Sequence, residues 1–118
     1  MNYSELSDAQ ISQRVGAIIS RDQQSVIGAN GKAFIHHYGA PIGDYGSLCL
    51  GWKEFDPCNS WADAGPIIEK FGISVHYIGE GHHRGKWGAD EPTGVRYIYG
   101  DKPLRCAMII FLWMQEAE

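Results

Sequence analysis

Asp101-Lys102-Pro103-Leu104-Arg105-Cys106-Ala107-Met108-Ile109-Ile110-Phe111-Leu112-Trp113-Met114 is the stretch whose reading decides the fold. Apart from Arg105, every position over 104–114 is apolar, so this helix has no wet face of ordinary width. It must be the central core element or half of a subunit interface. Asp101 is placed to cap it, and Pro103 is tolerated in its first turn because the missing amide would have had no partner there. The uninterrupted apolar run is short of the ~20 residues that cross a bilayer, so no membrane association is expected.

Working outward, Asn59-Ser60-Trp61-Ala62-Asp63-Ala64-Gly65-Pro66-Ile67-Ile68-Glu69-Lys70-Phe71-Gly72 reads as a second, shorter helix. Asn59 or Ser60 serves as cap, Asp63 lies in the first turn, and Gly72 takes the left-handed stop. Pro66 either kinks this helix or marks its true start. A third helix opens the chain: Ser7-Asp8-Ala9-Gln10 has the spacing of a capping box, with Leu6 and Ile11 placed as a hydrophobic staple. Ile11, Val15, Ile18 and Ile19 then recur at helical spacing, and the helix ends near Ser20.

Strand signals fill the intervals. Val26-Ile27 and Ala33-Phe34-Ile35 flank Gly28-Ala29-Asn30-Gly31-Lys32, where Asn-Gly is expected to supply the positive φ angles of a hairpin turn. The stretch 39–46 is a Gly- and Pro-rich loop, and 47–52 is a further short strand. Ile73, Val75 and Tyr77 alternate with Ser74 and His76, and Val95, Tyr97 and Tyr99 alternate with Arg96 and Ile98. The Gly-rich stretch 79–94 between them reads as a long loop, or a hairpin with an irregular tip. The expected architecture is one α+β domain over 1–118, a small, mostly antiparallel sheet packed with three helices.

A net charge of -4 offers no general attraction to phosphate, which argues against nucleic acid as a partner. The polar N-terminus Met1-Asn2-Tyr3-Ser4-Glu5 lacks a secretory signal, and three cysteines leave one unpaired, so reduced thiols in a cytoplasm are expected. Cys106 reads as a buried, inert core thiol; Cys58 has the better chance of exposure.

No catalytic constellation stands out. The cysteines lack zinc-ligand spacing, and His36 and His37, adjacent on a strand, point to opposite faces. The Gly-rich stretches miss both the Walker and the dinucleotide patterns. No metal and no cofactor is expected. The residues singled out for binding are His76, His82, His83, Arg84, Lys86 and Trp87, with Trp87, between glycines in a polar loop, the aromatic least suited to burial. Two other uses of them are considered: a metal-dependent hydrolase or nuclease built on His76, His82 and His83, and a nucleic-acid module in which Trp87 stacks beside Arg84 and Lys86 on the 79–94 loop.

Three blocks resemble the small NinX-like proteins of tailed phages and enteric prophages: the N-terminal segment through Val15; Phe55-Asp56-Pro57-Cys58-Asn59 with Ala62-Asp63-Ala64 and Pro66-Ile67-Ile68-Glu69; and Pro103-Leu104-Arg105-Cys106-Ala107-Met108-Ile109. The last block is also similar to phage proteins assigned an α-β-α sandwich. Where that family tends to carry proline near the Trp61 position and tryptophan near that of Gly65, this chain departs, so its second helix is expected to pack in its own way. The resemblance implies a phage context without a defined activity. The resulting expectation is a non-enzymatic accessory protein in the host cytoplasm, acting by binding a host or phage protein, with self-association through the C-terminal helix as a further possibility.

Overall fold

The computed structural model describes residues 2–43 and 46–116. After a 3-10 turn at Tyr3–Glu5, the order is α1 (Asp8–Ile19), β1 (Ser25–Ile27), β2 (Ala33–Tyr38), β3 (Cys49–Glu54), α2 (Trp61–Phe71), β4 (Ser74–Tyr77), β5 (Trp87–Asp90), β6 (Tyr97–Gly100) and α3 (Pro103–Glu116). The α+β class and the three helices are as the sequence predicts. The strands, however, form two antiparallel three-stranded sheets, β1-β2-β3 and β4-β5-β6.

The sequence signals act locally as expected in α1. The Ser7 side chain accepts from the Gln10 amide at 3.1 Å, and the Gln10 side chain accepts from the Ser7 amide at 2.9 Å, closing the capping box. Ser60 caps α2, which starts at Trp61 and runs through Pro66 to a left-handed Gly72 (φ 66°). In the first hairpin only Gly31 takes a positive φ; Asn30 instead uses its side-chain oxygen to accept from the Lys32 amide at 3.1 Å. The loop spans five residues, so it does not need the two left-handed residues of a tight turn. Asp101 does not cap α3: the Cys106 amide donates to the Lys102 carbonyl, which makes Lys102 the cap position and Pro103 the first helical residue.

The largest difference lies in 79–94. Trp87–Asp90 is a strand, and it is the middle one of the second sheet, paired with β4 on one side and β6 on the other. Its sequence, Trp-Gly-Ala-Asp, has no β-branched residue, so its strand character comes from its neighbours and not from propensity. Of the 39–46 loop, Asp44 and Tyr45 lie outside the described residues; β3 follows it at Cys49, two residues later than read from the sequence.

α3 is the core element. Leu104 and the run from Cys106 to Leu112 are buried within their own chain. The helix covers the second sheet, and α1 and α2 pack against it from other sides. α1 in turn covers β1 and β2, so Ile11, Val15 and Ile35 join Phe111 and Met108 in one apolar cluster. The molecule is elongated, 53 × 32 × 24 Å, with a radius of gyration of 15.4 Å, against ~13.5 Å for a compact chain of this size. The first sheet accounts for this: five of the six β3 residues are exposed.

Candidate functional site

In the second sheet, register places Val75, Ala89 and Ile98 side by side facing α3. Strand alternation then puts His76, Gly88 and Tyr99, with Ser74, Asp90 and Tyr97, on the opposite face. The ring of His82 lies 5.0 Å from that of His83 and 4.8 Å from that of Tyr99, and Tyr99 lies 5.7 Å from Tyr97. Four of these rings therefore form a continuous row. The Arg84 amide donates to His82 Nδ1 at 3.2 Å, which leaves Nε2 to carry the proton of the neutral ring. Gly85 fixes this loop against the sheet. Its φ is 127°, and a Cβ there would come within 2.5 Å of the Gly100 backbone, so no other residue fits.

The six residues singled out for binding are thus only partly brought together. His76 leans over Gly88, with its Nδ1 4.0 Å from Asp90 Oδ1. Arg84 is exposed near the ring row, and Lys86 uses its carbonyl to accept the Ile78 amide at 2.7 Å. Trp87 is not a loop residue. It faces Tyr77 edge-on at 5.1 Å, on the same side of the sheet as Val75 and Ala89, and is half-buried, whereas Trp61 is 60% exposed. Among the described residues no three His, Cys, Asp or Glu side chains are placed to hold a metal ion, so His76, His82 and His83 do not converge as ligands.

The first sheet carries a second cluster that sequence reading passed over. Asp22 sits in the turn after α1, next to Gln23, the one non-glycine residue with positive φ among those described (58°). Its carboxylate accepts from His36 Nδ1 and, at 3.2 Å, from the Tyr38 hydroxyl. The His36 hydrogen bond holds the Asp22 carboxyl below the usual range; desolvation opposes this, and the Gln24 amide and Tyr38 hydroxyl assist it. The His36 imidazole stacks on Trp52 with centroids 3.7 Å apart, and the Arg21 guanidinium lies over the Tyr38 ring. Beside this cluster Leu48, Leu50 and Trp52 are 64%, 62% and 45% exposed, and Val26 is exposed as well. Trp52 is the register partner of His36 across the strand pair. Sixteen residues separate the two in sequence, so only the pairing reveals the cluster.

The three blocks that carry the family resemblance meet where the helices begin. The Asp8 carboxylate accepts from Lys102 Nζ, from Arg105 at 2.8 Å and from Asn59 at 3.1 Å. Arg105 also donates to the Ser4 and Leu6 carbonyls at 3.0 and 2.6 Å. Burial works to raise the Asp8 pKa, and the bonds from Lys102, Asn59 and Arg105 outweigh it, so the carboxyl stays below its ordinary range. Cys106 is buried, as expected, and Cys58, read as somewhat more open to exposure than Cys106, is buried as well. Burial pushes their thiols up to about 11 and about 12, so neither is a ready thiolate.

Compared with known proteins, residues 2–115 match the sequence model of the family described as Bacteriophage P22, NinX. No curated protein and no solved structure matches.

Proposed function

The chain belongs to the Bacteriophage P22 NinX family, and from that premise we propose that this phage accessory protein acts in the host cytoplasm, without catalysing a reaction, by binding another protein. The observation that carries the reading is the exposed apolar surface of the first sheet, with Leu50 and Trp52 on β3, Leu48 just before that strand, and Val26 on β1 at the opposite edge. Exposed apolar side chains gathered along one strand favour interaction sites, and an aromatic anchor supplies large contact area at low entropic cost. The His36–Asp22 pair and the Trp52 stack hold that anchor in one orientation, which lowers the cost of binding. No helix among the described residues is long and apolar enough to cross a membrane.

Affinity capture from infected host cells tests the reading when wild type is compared with a Leu50→Ser/Trp52→Ser variant whose melting behaviour is unchanged. Proteins retained by wild type and lost from the variant are expected. Identical captures from both would remove the first sheet from consideration.

A second reading is favoured by the ring row: contact with single-stranded nucleic acid through His82, His83 and Arg84, with Lys86 behind them. Salt-sensitive binding that is lost on His82→Ala/Arg84→Ala would support it, and binding indifferent to salt would not. Self-association through α3, one of the two uses of this helix that the sequence leaves open, would have to use the last turn of the helix, because the run through Leu112 is consumed inside the chain.

A further inference from the structure

The open edge of a sheet has a definite complement, another extended chain, because its free amides and carbonyls alternate at strand spacing. Four strands end a sheet among the described residues: β1, β3, β4 and β6. β3 is the longest of them at six residues, and all but Gly51 are exposed.

The phase of the β2–β3 ladder shows which of its groups are free. The Phe55 amide donates to the Ala33 carbonyl at 2.9 Å, and the adjoining register partners are Phe34 and Glu54. Bonded and non-bonded pairs alternate in an antiparallel ladder, so Lys53 turns its main-chain groups towards Ile35, while Trp52 and Glu54 turn theirs outwards. Among the described residues, neither Trp52 nor Glu54 has a main-chain partner outside the β2–β3 pair. The pairing is irregular only past His37, where Gly51 takes a φ of 109°, so 52–54 lies in its regular part.

Side chains select the occupant. Lys53, opposite Ile35, stands on the α1 side of the sheet, exposed and without an ion pair or hydrogen bond among the described residues. Glu54, by contrast, is engaged by Lys32 at 3.0 Å. A second copy that exchanged bonds between Trp52 and Glu54 in a two-fold pair would set the two Lys53 ammonium groups directly opposite each other, which is destabilising. Centring that pair on Trp52 instead runs it into the irregular end at Leu50 and Gly51, and still gives Lys53 no partner. A carboxylate opposite Lys53 is the complementary choice, and on the other face an apolar side chain opposite Trp52, which is 45% exposed, would cover it.

Resting on the reading of the first sheet as an interaction surface, we propose that β3 takes up an extended segment of a partner protein as a fourth, antiparallel strand. The segment carries an acidic residue opposite Lys53 and an apolar residue opposite Trp52. Its main chain bonds to the outward groups of Trp52 and Glu54 and supplies affinity; the two side chains supply the choice of sequence.

The probe is the acetylated, amidated peptide Thr-Val-Glu-Val-Thr, raised to millimolar concentration over the uniformly 15N-labelled full chain at neutral pH. One control replaces its glutamate with lysine, and another is N-methylated at both valine amides. Saturable shifts are expected at Trp52, Lys53 and Glu54, with solvent exchange slowed at the Trp52 and Glu54 amides and unchanged at that of Lys53, which β2 already holds. The lysine peptide should bind about fivefold more weakly and the N-methylated one not at all. Lys53→Glu, an exposed substitution, is expected to reverse the preference between the two charged peptides. Glu54→Pro removes one outward amide without touching the β2–β3 ladder, and should lose binding that Glu54→Gln keeps.

Absence of saturation, undiminished binding of the N-methylated peptide, or indifference to peptide charge in both wild type and Lys53→Glu would overturn the proposal. So would protection of the same two amides that grows with protein concentration without peptide, which would assign the edge to a second copy. If the peptides fail while Leu50→Ser/Trp52→Ser still loses a captured protein, strand addition is wrong and the apolar surface stands as the binding site.

Discussion

Asp8 joins parts of the chain roughly fifty and a hundred residues away from it: Asn59 on one side, Lys102 and Arg105 on the other. Removing its charge leaves Arg105 partly buried and short of a partner. Asp8→Asn is therefore expected to cost about 2 kcal/mol in urea denaturation at neutral pH. The sign with pH follows from the direction of the shift. Because the folded-state pKa of Asp8 is depressed, its contribution is present above the unfolded value near ~4 and is lost as pH falls through the folded value. The gap between wild type and Asp8→Asn is accordingly expected to narrow as acid titrates the folded-state carboxyl, below the range in which an ordinary aspartate protonates. None of this was legible in the sequence, where Asp8 reads as a first-turn carboxylate and Arg105 as the polar exception in an apolar run. Long-range pairs have no local signature.

At the scale of elements, local chemistry is far more readable. The Ser7–Gln10 box, the Ser60 cap and the Gly72 stop are each specified by residues within a few positions, and each forms. β5 was hidden for the converse reason: a central strand is held by partners on both edges, so Trp-Gly-Ala-Asp needs no strand propensity of its own. The ring row shares that obscurity, since Tyr99 meets His82 only because β6 pairs with β5. α2 carries two helix-weakening residues in sequence, Gly65 and the exposed Pro66. A Cβ at Gly65 meets nothing within 4 Å, so Gly65→Ala/Pro66→Ala is expected to raise stability by about 2 kcal/mol in thermal melts. Gly85→Ala should act in the opposite sense, lowering stability by at least about 2 kcal/mol, because its Cβ has no room beside Gly100.

At the scale of the whole molecule, α3 is the element that α1, α2 and the second sheet all pack against, and α1 carries the first sheet. We expect one cooperative unfolding transition, with the fluorescence of Trp52 in the first sheet and of Trp87 in the second changing together when each is observed in a variant lacking the other tryptophans. Truncating Phe111, which is fully buried, should cost about 4 kcal/mol and lower both transitions equally. Separate transitions would show that the two sheets fold apart. The position of α3 has one more effect, on biosynthesis. Every strand and helix that it covers precedes it in the chain, so during translation those elements emerge with their apolar faces bare and wait for the segment that closes over them. The packing of those elements is therefore completed only after α3 has been made, and the nascent chain carries exposed apolar surface until synthesis has passed Leu112.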